Sequence, residues 1–253
     1  MPMTNSHIIQ KQYKDLLKIF KLHERAFVAF SGGIDSSLVA KAAFDALGDK
    51  AFAITIDSEL TANRDISFAC RSAASIGINH QVIKISVLKN SLISDNTKSR
   101  CYYCKKAIID TINRCPLFDG SHADDPVDRA GLKAIREASV ISPLALTGFT
   151  KKNIIEAAGF LQLLSLNRPS NSCLATRIET GIPLTAKKIF MVERTEECMF
   201  EAGARWCRAR TDGNKFQIEY GSDSPLDEFN IKAKLTTLLP QVSQKNIQFI
   251  IKT

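Results

Sequence analysis

Ser31-Gly32-Gly33-Ile34-Asp35-Ser36-Ser37 stands between an apolar run, Ala26 to Phe30, and a segment of helical periodicity, Ser36 to Ala46, that Gly48 stops. A strand that feeds a glycine turn and then a helix makes an anion cradle. The glycines let the backbone approach the anion closely. The helix N-terminus presents N–H groups and the positive end of its dipole. Ser31, Ser36 and Ser37 add hydroxyl donors. The Gly-Lys-Ser/Thr ending of a Walker loop is absent, so this is another kind of phosphate loop. Asp35 is the odd member, because a carboxylate beside a phosphate needs a cation between them, and Mg²⁺ bridges phosphate oxygens with few protein ligands. A tight strand–helix turn capped by serine would explain a lone Gly-Gly. It does not explain the aspartate and the three serines.

Working outward, Ala51 to Ile56 reads as a doubly buried strand, Ala62 to Ile76 as a helix with Gly77 beyond its end, and Val82 to Ile85 as a third strand. This alternation predicts an α/β fold with a parallel sheet covered on both faces. Residues 9–23 carry Ile9, Tyr13, Leu16, Leu17 and Phe20 at helical spacing. Ser91 to Arg100 reads as a polar loop leading into Cys101-Tyr102-Tyr103-Cys104, with a helix from Lys105 to Ile112. Pro116-Leu117-Phe118 is a weak strand whose proline suits an edge or a start. Asp119-Gly120-Ser121 ends it, and Asp124, Asp125 and Asp128 form an acidic loop before a helix at Leu132 to Ala138. Thr150 is placed to cap a helix from Lys151 to Ala158.

Composition shifts at Thr180-Gly181-Ile182-Pro183, which divides the chain into 1–182 and 183–253. The second piece reads helix (Thr185 to Glu201), strand (Trp206 to Arg210), turn (Asp212-Gly213-Asn214), strand (Phe216 to Tyr220), helix (Leu226 to Leu239) and strand (Gln248 to Ile251). That is a small α+β domain with a hairpin.

The 253 residues are 45% hydrophobic and 24% charged, ordinary values for a globular protein. No apolar run approaches the roughly 18 residues that span a bilayer. Met1 to Gln10 lacks the pattern of an export signal, so the expected compartment is the cytoplasm. The formal charge of +8 suits an anionic partner, a nucleotide or an RNA, and serves solubility equally well.

Seven cysteines, at 70, 101, 104, 115, 173, 198 and 207, argue against a disulfide framework in a chain with no export signal. Cys101 and Cys104 form a CxxC whose thiolates can converge on one metal centre, and a helix start favours their ionisation. By itself the pair reads as a redox pair, a zinc half-site, a cluster half-site or chance. A four-cysteine zinc site would need Cys173 and another distant ligand. Three cysteines suit a 4Fe–4S cluster with one iron open. Cys173 lies in Pro169-Ser170-Asn171-Ser172-Cys173-Leu174-Ala175-Thr176-Arg177, where turn formers precede it and an arginine follows as a cation able to lower its pKa. Cys70 and Cys198 lie on helix faces and read as buried. Cys115 and Cys207 lie beside strands.

The phosphate loop resembles the PP-loop of the N-type ATP pyrophosphatases. That resemblance implies cleavage of ATP between its α- and β-phosphates, an adenylated substrate and released pyrophosphate. It also implies that the second strand's end, Thr55-Ile56-Asp57-Ser58, meets the adenosine. More specific landmarks follow in order: Arg100-Cys101-Tyr102-Tyr103-Cys104-Lys105-Lys106, Asp119-Gly120-Ser121-His122-Ala123-Asp124-Asp125, Ser142-Pro143-Leu144 and Ser172-Cys173-Leu174-Ala175-Thr176-Arg177-Ile178. With these the chain, from residue 26 to about residue 228, resembles the LarE family, ATP-dependent sulfur transferases of nickel-pincer nucleotide cofactor synthesis.

The resemblance implies adenylation of a carboxylate of a pyridinium biscarboxylate mononucleotide, followed by attack of sulfur at the position of Cys173. In one branch that cysteine gives up its own sulfur and becomes dehydroalanine. In another, cysteines matching Cys101, Cys104 and Cys173 hold a 4Fe–4S cluster whose extra sulfide is transferred. All three are present, which favours the cluster branch. Glu196, Arg208 and Arg210 match positions near the substrate and its phosphate. Arginines at i and i+2 share one strand face, as a phosphate clamp requires and as a merely exposed basic face would also show. Glu219 and Asp227 match acidic positions that, with Asp35, help hold Mg²⁺, and the family forms multimers, which implies a homo-oligomer. The family's Gly-Tyr-Arg tail, with its phosphate-binding arginine, has no match in Phe249-Ile250-Ile251-Lys252-Thr253, and the connection from the Cys104 helix to Asp119 is short. A tRNA thiolase, an amide-forming ligase of the same superfamily and a non-catalytic nucleotide-binding protein are the alternatives. No aromatic-rich basic stretch or appended RNA-binding module supports the first.

Overall fold

The computed structural model describes residues 5–126, 128–240 and 242–252. The first residues of the stretch read as lacking an export signal, and the end points Met1 and Thr253 of the expected division, lie outside the described residues. In chain order the elements are α1 (Asn5–Lys21), β1 (Ala26–Ala29), α2 (Ile34–Leu47), β2 (Ala51–Asp57), α3 (Asn63–Ile76), β3 (Asn79–Lys84), α4 (Ser91–Ser94), α5 (Arg100–Ile112), β4 (Leu117–Phe118), α6 (Ala130–Glu137), α7 (Pro143–Leu146) and α8 (Lys151–Phe160). They continue with α9 (Ala186–Glu201), β5 (Ala204–Thr211), β6 (Phe216–Ser222), α10 (Glu228–Leu238) and β7 (Ile247–Ile251). The chain forms two compact units, Met1–Ile85 with Cys101–Ser170, and Ser86–Arg100 with Asn171–Thr253.

The first unit is built on a parallel sheet of order β3-β2-β1-β4. Its strands alternate between two apolar clusters, as a sheet covered on both faces must. Ala26 and Val28 of β1 and Ala51 and Ala53 of β2 join the cluster of α1, α2, α3 and α8 around Leu16, Phe20, Leu38 and Ile154. Phe27 and Ala29, with Ile54 and Ile56, meet Ile108, Ile109 and Ile112 of α5 instead. The strand order reverses at β1, with β2 and β3 to one side and β4 to the other. Ligands of open α/β sheets bind beyond the carboxyl ends of the strands at such a reversal.

Three local expectations change. The CxxC is not in a loop before a helix, because α5 starts at Arg100 and Cys101 and Cys104 occupy its first turns. Four residues of the stretch read as loop, Ser91–Ser94, form a helical turn whose Asn90 side chain accepts from Leu92 N–H at 3.0 Å. Cys70, expected in the core, is exposed, because α3 buries Ala69, Ser72, Ala73 and Ile76 and leaves Cys70 beside that stripe. Cys198 is buried as expected, and burial pushes its thiol pKa up.

In the second unit β5 and β6 pair antiparallel and β7 adds parallel to β6. Helix α9 packs on β5 and α10 packs on α9, burying Met191, Val192, Met199, Ile218, Tyr220, Ile231 and Leu235. Burial and a hydrogen bond to Glu228 raise the Tyr220 phenol to about 12. Trp206, the lone tryptophan, lies across from Gly221, where a Cβ would fall 2.3 Å from the indole nitrogen. A Gly221→Val substitution therefore has to expel the ring. It is expected to cost about 1–3 kcal/mol in urea unfolding and to shift the tryptophan emission to the red. An unshifted spectrum with unchanged stability contradicts this packing.

Candidate active site

The phosphate loop runs from the end of β1 into α2. Gly32 takes a left-handed φ of +71°, and a Cβ there would lie 2.8 Å from Ala69 Cα, so only glycine lets the loop pass this close to α3. The Ser36 hydroxyl closes the loop on itself. It donates to the Gly33 carbonyl at 3.1 Å, accepts from the Ser31 N–H at 3.2 Å and lies 3.2 Å from the Ser31 hydroxyl. No side chain caps the start of α2 at Gly33, which leaves its N-terminal end suited to an anion. Ser37 turns away and is fully buried against Ser72 at 3.2 Å. Of the expected phosphate donors it is the one the structure assigns to packing.

The neighbouring strand ends build the rest of this rim. Asp57, half-buried, ends β2, and Ser58 follows it, its hydroxyl accepting from Leu60 N–H at 3.3 Å. The Thr55 hydroxyl donates to the Phe30 carbonyl at 2.8 Å and lies 2.8 Å from His80 Nε2, fastening β2 to the loop's entry. Since that hydroxyl is used as a donor, it accepts from His80 Nε2–H, and burial lowers the His80 pKa. Beyond β4 the buried Asp119 accepts from the Ser121 and Ser142 hydroxyls at 2.6 and 2.7 Å. Gly120 lies against α2, where a Cβ would fall 3.0 Å from Ser36 N. Asp35 is held by the ammonium group of Lys151, the first residue of α8, at 2.5 Å. Thr150 caps that helix as expected, accepting from Asn153 N–H at 3.2 Å. Lys151 escaped the sequence reading, because nothing about a lysine at a helix start points to a partner more than a hundred residues away.

In the second unit Cys173 sits exposed in the turn before a 3-10 turn, Leu174–Arg177. The turn is fixed from beneath. Arg177 and Glu196 form an ion pair at 2.7 Å with side chains 1% and 0% exposed. The same Glu196 oxygen accepts from Ala209 N–H of β5 at 3.1 Å. The remaining guanidinium donors hold the Ser172 and Thr176 hydroxyls and the Asn171 side-chain carbonyl, each at 2.7 Å. Arg177 is thus committed to shaping the turn, where the sequence reading made it a cation for the thiol. Glu196, expected beside substrate, lies under the turn and holds Arg177.

A second brace comes from Asn96, fully buried with a left-handed φ of 55°. Its amide donates to the carbonyls of Glu179 and Ile182 at 2.9 and 3.0 Å, and its oxygen accepts from Arg100. Arg100, one residue before Cys101, also donates to the Ala175 carbonyl at 3.3 Å, two residues after Cys173. One buried arginine thereby belongs to both of the specific cysteine motifs.

Arg208 and Arg210 lie two apart on β5, half-buried and exposed. Glu219 accepts from Lys252 at 2.9 Å and from Arg210 at 3.5 Å, and the Lys252 bond holds its carboxyl below the usual carboxylate range. Asp227 caps α10, accepting from Asn230 N–H at 3.0 Å and its amide at 2.7 Å. All three expected magnesium ligands are engaged by protein donors: Glu219 by Lys252 and Arg210, Asp227 by Asn230, and Asp35 by Lys151 at the phosphate loop. Among the described residues no group of three or more His, Cys, Asp and Glu side chains is gathered as metal ligands. The donor set Cys101, Cys104 and Cys173 fits iron by its chemistry, three soft thiols of which two lie on the first turns of one helix.

A family model described as NAD synthase matches residues 10–109, the stretch from α1 into α5 that contains the phosphate loop. A pyridinium-3,5-bisthiocarboxylic acid mononucleotide synthase of Lactiplantibacillus plantarum is 32% identical over 213 residues, 81% of this chain and 77% of that protein. An uncharacterized protein of Synechocystis sp. is 32% identical over 220 residues, 84% of this chain and 82% of its own. One of Methanocaldococcus jannaschii is 29% identical over 222 residues, 84% of each chain. Fold and loop are those of a PP-loop enzyme that uses ATP. The chain belongs to the LarE family of sulfur-inserting enzymes, the family of the Lactiplantibacillus synthase.

The buried pair gives a direct test. Glu196→Ala leaves the Arg177 charge enclosed without its carboxylate, which is expected to cost about 3–5 kcal/mol in chemical unfolding. A loss below about 1 kcal/mol contradicts the arrangement.

Proposed function

We propose that this enzyme adenylates a carboxylate of a pyridinium biscarboxylate mononucleotide with ATP and replaces the activated oxygen by sulfur, giving a thiocarboxylate precursor of the nickel-pincer cofactor. The carboxylate oxygen attacks the α-phosphorus, the bond to the bridging oxygen of the β-phosphate breaks, and pyrophosphate leaves. Sulfur then attacks the acyl carbon and AMP departs with the electron pair of the broken C–O bond. Ser31, Gly32, Gly33 and Ser36 hold the phosphates at the uncapped start of α2, and Asp57 and Ser58 meet the adenosine. Ser37 supports the loop from the buried side. Asp35 would hold Mg²⁺, which when bound supplies positive charge to the phosphates.

Cys101, Cys104 and Cys173 would hold a 4Fe–4S cluster, which when bound supplies sulfide as the transferred atom. The residues of the chain do the positioning: Arg177, braced by Glu196, fixes the turn that carries Cys173, and Arg208 and Arg210 face the substrate phosphate. The unit Met1–Ile85 with Cys101–Ser170 serves ATP, and the unit Ser86–Arg100 with Asn171–Thr253, which carries the Cys173 turn, serves substrate and assembly. The enzyme acts in the cytoplasm as a homo-oligomer. No helix among the described residues is long and apolar enough to cross a membrane, and Phe190 and Phe229, 55% and 77% exposed, offer apolar surface to a second copy.

The observation that carries this reading is the exposed Cys173 turn held rigid by two buried arginines, in a chain whose other unit bears the phosphate loop. Rigid presentation is what a sulfur donor needs to meet an acyl carbon before water does. Cys173→Ala is expected to keep ATP–pyrophosphate exchange with the mononucleotide within about threefold and to lose thiocarboxylate formation at least about a thousandfold. Exchange lost together with transfer, or transfer retained, defeats the assignment. Anaerobically isolated protein is expected to carry about four irons, lost in Cys101→Ala. Iron-free active protein with a loss of about 34 Da at Cys173 after turnover would instead mark the cysteine as the sulfur source.

A further inference from the structure

A cavity of about 590 Å³ opens at one end of the β5-β6-β7 sheet. The end of β5, the start of β6 and the approach to β7 form its walls, and the 3-10 turn after Cys173 closes one side through Thr176 and Arg177. An isolated bridge from Ile178 to Thr211 binds that turn to the sheet end, so the cavity starts three residues from Cys173. Its cations are Arg210, Lys215 and Lys245. Arg177 lines it too, but Glu196 already balances that charge. Neither the Lys215 nor the Lys245 ammonium group makes an ion pair among the described residues. Arg210 has only a partner at 3.5 Å, whose other oxygen Lys252 occupies.

Two carboxylates also line the cavity. Asp212 spends one oxygen on the N–H groups of Lys215 and Asn214 in the hairpin turn, and those bonds hold its carboxyl below the usual range. Glu179 is exposed. The amides of Gln217, Asn246 and Gln248 complete the lining. Two lysines without an ion pair among the described residues, beside an Arg210 that Glu219 meets only at 3.5 Å and among neutral hydrogen-bonding groups, are a seat for a dianion carried on a polar body.

We propose that this cavity binds the phosphate-bearing end of the substrate mononucleotide, with Lys215 and Lys245 as the residues that select a phosphate monoester over the free nucleoside. This rests on the proposed function and deepens it, adding two cations that neither the loop motifs nor the cysteine motifs pointed to. Seating the phosphate here leaves the pyridinium carboxylates toward the Cys173 turn.

Ribose 5-phosphate tests the seat without any adenylation. By calorimetry the unaltered enzyme is expected to bind it at least about tenfold more tightly than ribose. The double variant Lys215→Met, Lys245→Met should lose that advantage, and Lys215→Arg, Lys245→Arg should keep it. Both lysines are exposed, so unchanged thermal unfolding accompanies either result. With the mononucleotide the methionine variant should raise KM about tenfold or more and change kcat by less than about threefold. Equal binding of ribose and ribose 5-phosphate, or unaltered binding by the methionine variant, overturns the inference. So does tRNA binding that depends on both lysines while ribose 5-phosphate is ignored. Phosphate-selective binding that needs both lysines, in an enzyme that never makes a thiocarboxylate, sinks the proposed reaction and leaves this seat standing.

Discussion

A guanidinium and a carboxylate buried to 1% and 0% exposure, 2.7 Å apart, govern the second unit. Each charge alone would be several kcal/mol too costly to enclose, and together they stay buried only because their remaining hydrogen-bonding groups are also met. Glu196 spends its oxygen on Ala209 N–H as well as on Arg177, so helix α9 and strand β5 are fastened through one atom. Arg177 then has donors left over, and these point at Ser172, Thr176 and Asn171. An apolar pair of the same volume could support the layer equally well. It could not dictate where the hydroxyls and carbonyls of an exposed turn must lie, and that is what the charged pair adds.

The first unit obtains its rigidity sterically. Gly32 and Gly120 sit where a Cβ would fall 2.8 Å from Ala69 Cα and 3.0 Å from Ser36 N. The loop, α3 and the segment after β4 therefore lie in close backbone contact. Hydroxyl bonds between Ser31 and Ser36 then fill the loop's interior. A cradle shaped this way needs little reorganisation when a phosphate arrives, and preorganised donors are worth more than mobile ones.

Much of this was readable from the chain. Apolar runs bounded by glycine gave β1, α2, β2 and α3 nearly to the residue, because a buried parallel strand and an amphipathic helix leave unmistakable patterns. The Asp212-Gly213 turn gave the β5–β6 hairpin. The start of α5 is hard to place because Ser99, the residue before it, is one of many polar residues in 91–99 that suit a loop as well as a helix cap. Cys70 was misplaced because one helix face is easily confused with the next when alanines and serines line both. The placement of Glu196 under the turn and of Lys151 on Asp35 was invisible for a different reason: partners 19 and 116 residues apart leave no local trace.

The charge of the chain shows the same limit from another side. A formal +8 announced an anionic partner but could not say where. Many basic side chains are spent locally, as in Lys18 with Asp15, Lys41 with Asp45, Arg129 with Asp125 and Lys234 with Glu201. Such exposed pairs contribute little to stability, yet they cancel the field that a bare count would assign to the surface. What remains effective is cation without a close carboxylate, and at the β5-β6-β7 sheet end that means Lys215 and Lys245 beside Arg210. A reaction that brings ATP to an anionic mononucleotide must neutralise two sets of phosphates. An uncapped helix start can serve one and a lysine pair the other, each where local ion pairing has left the positive charge unspent.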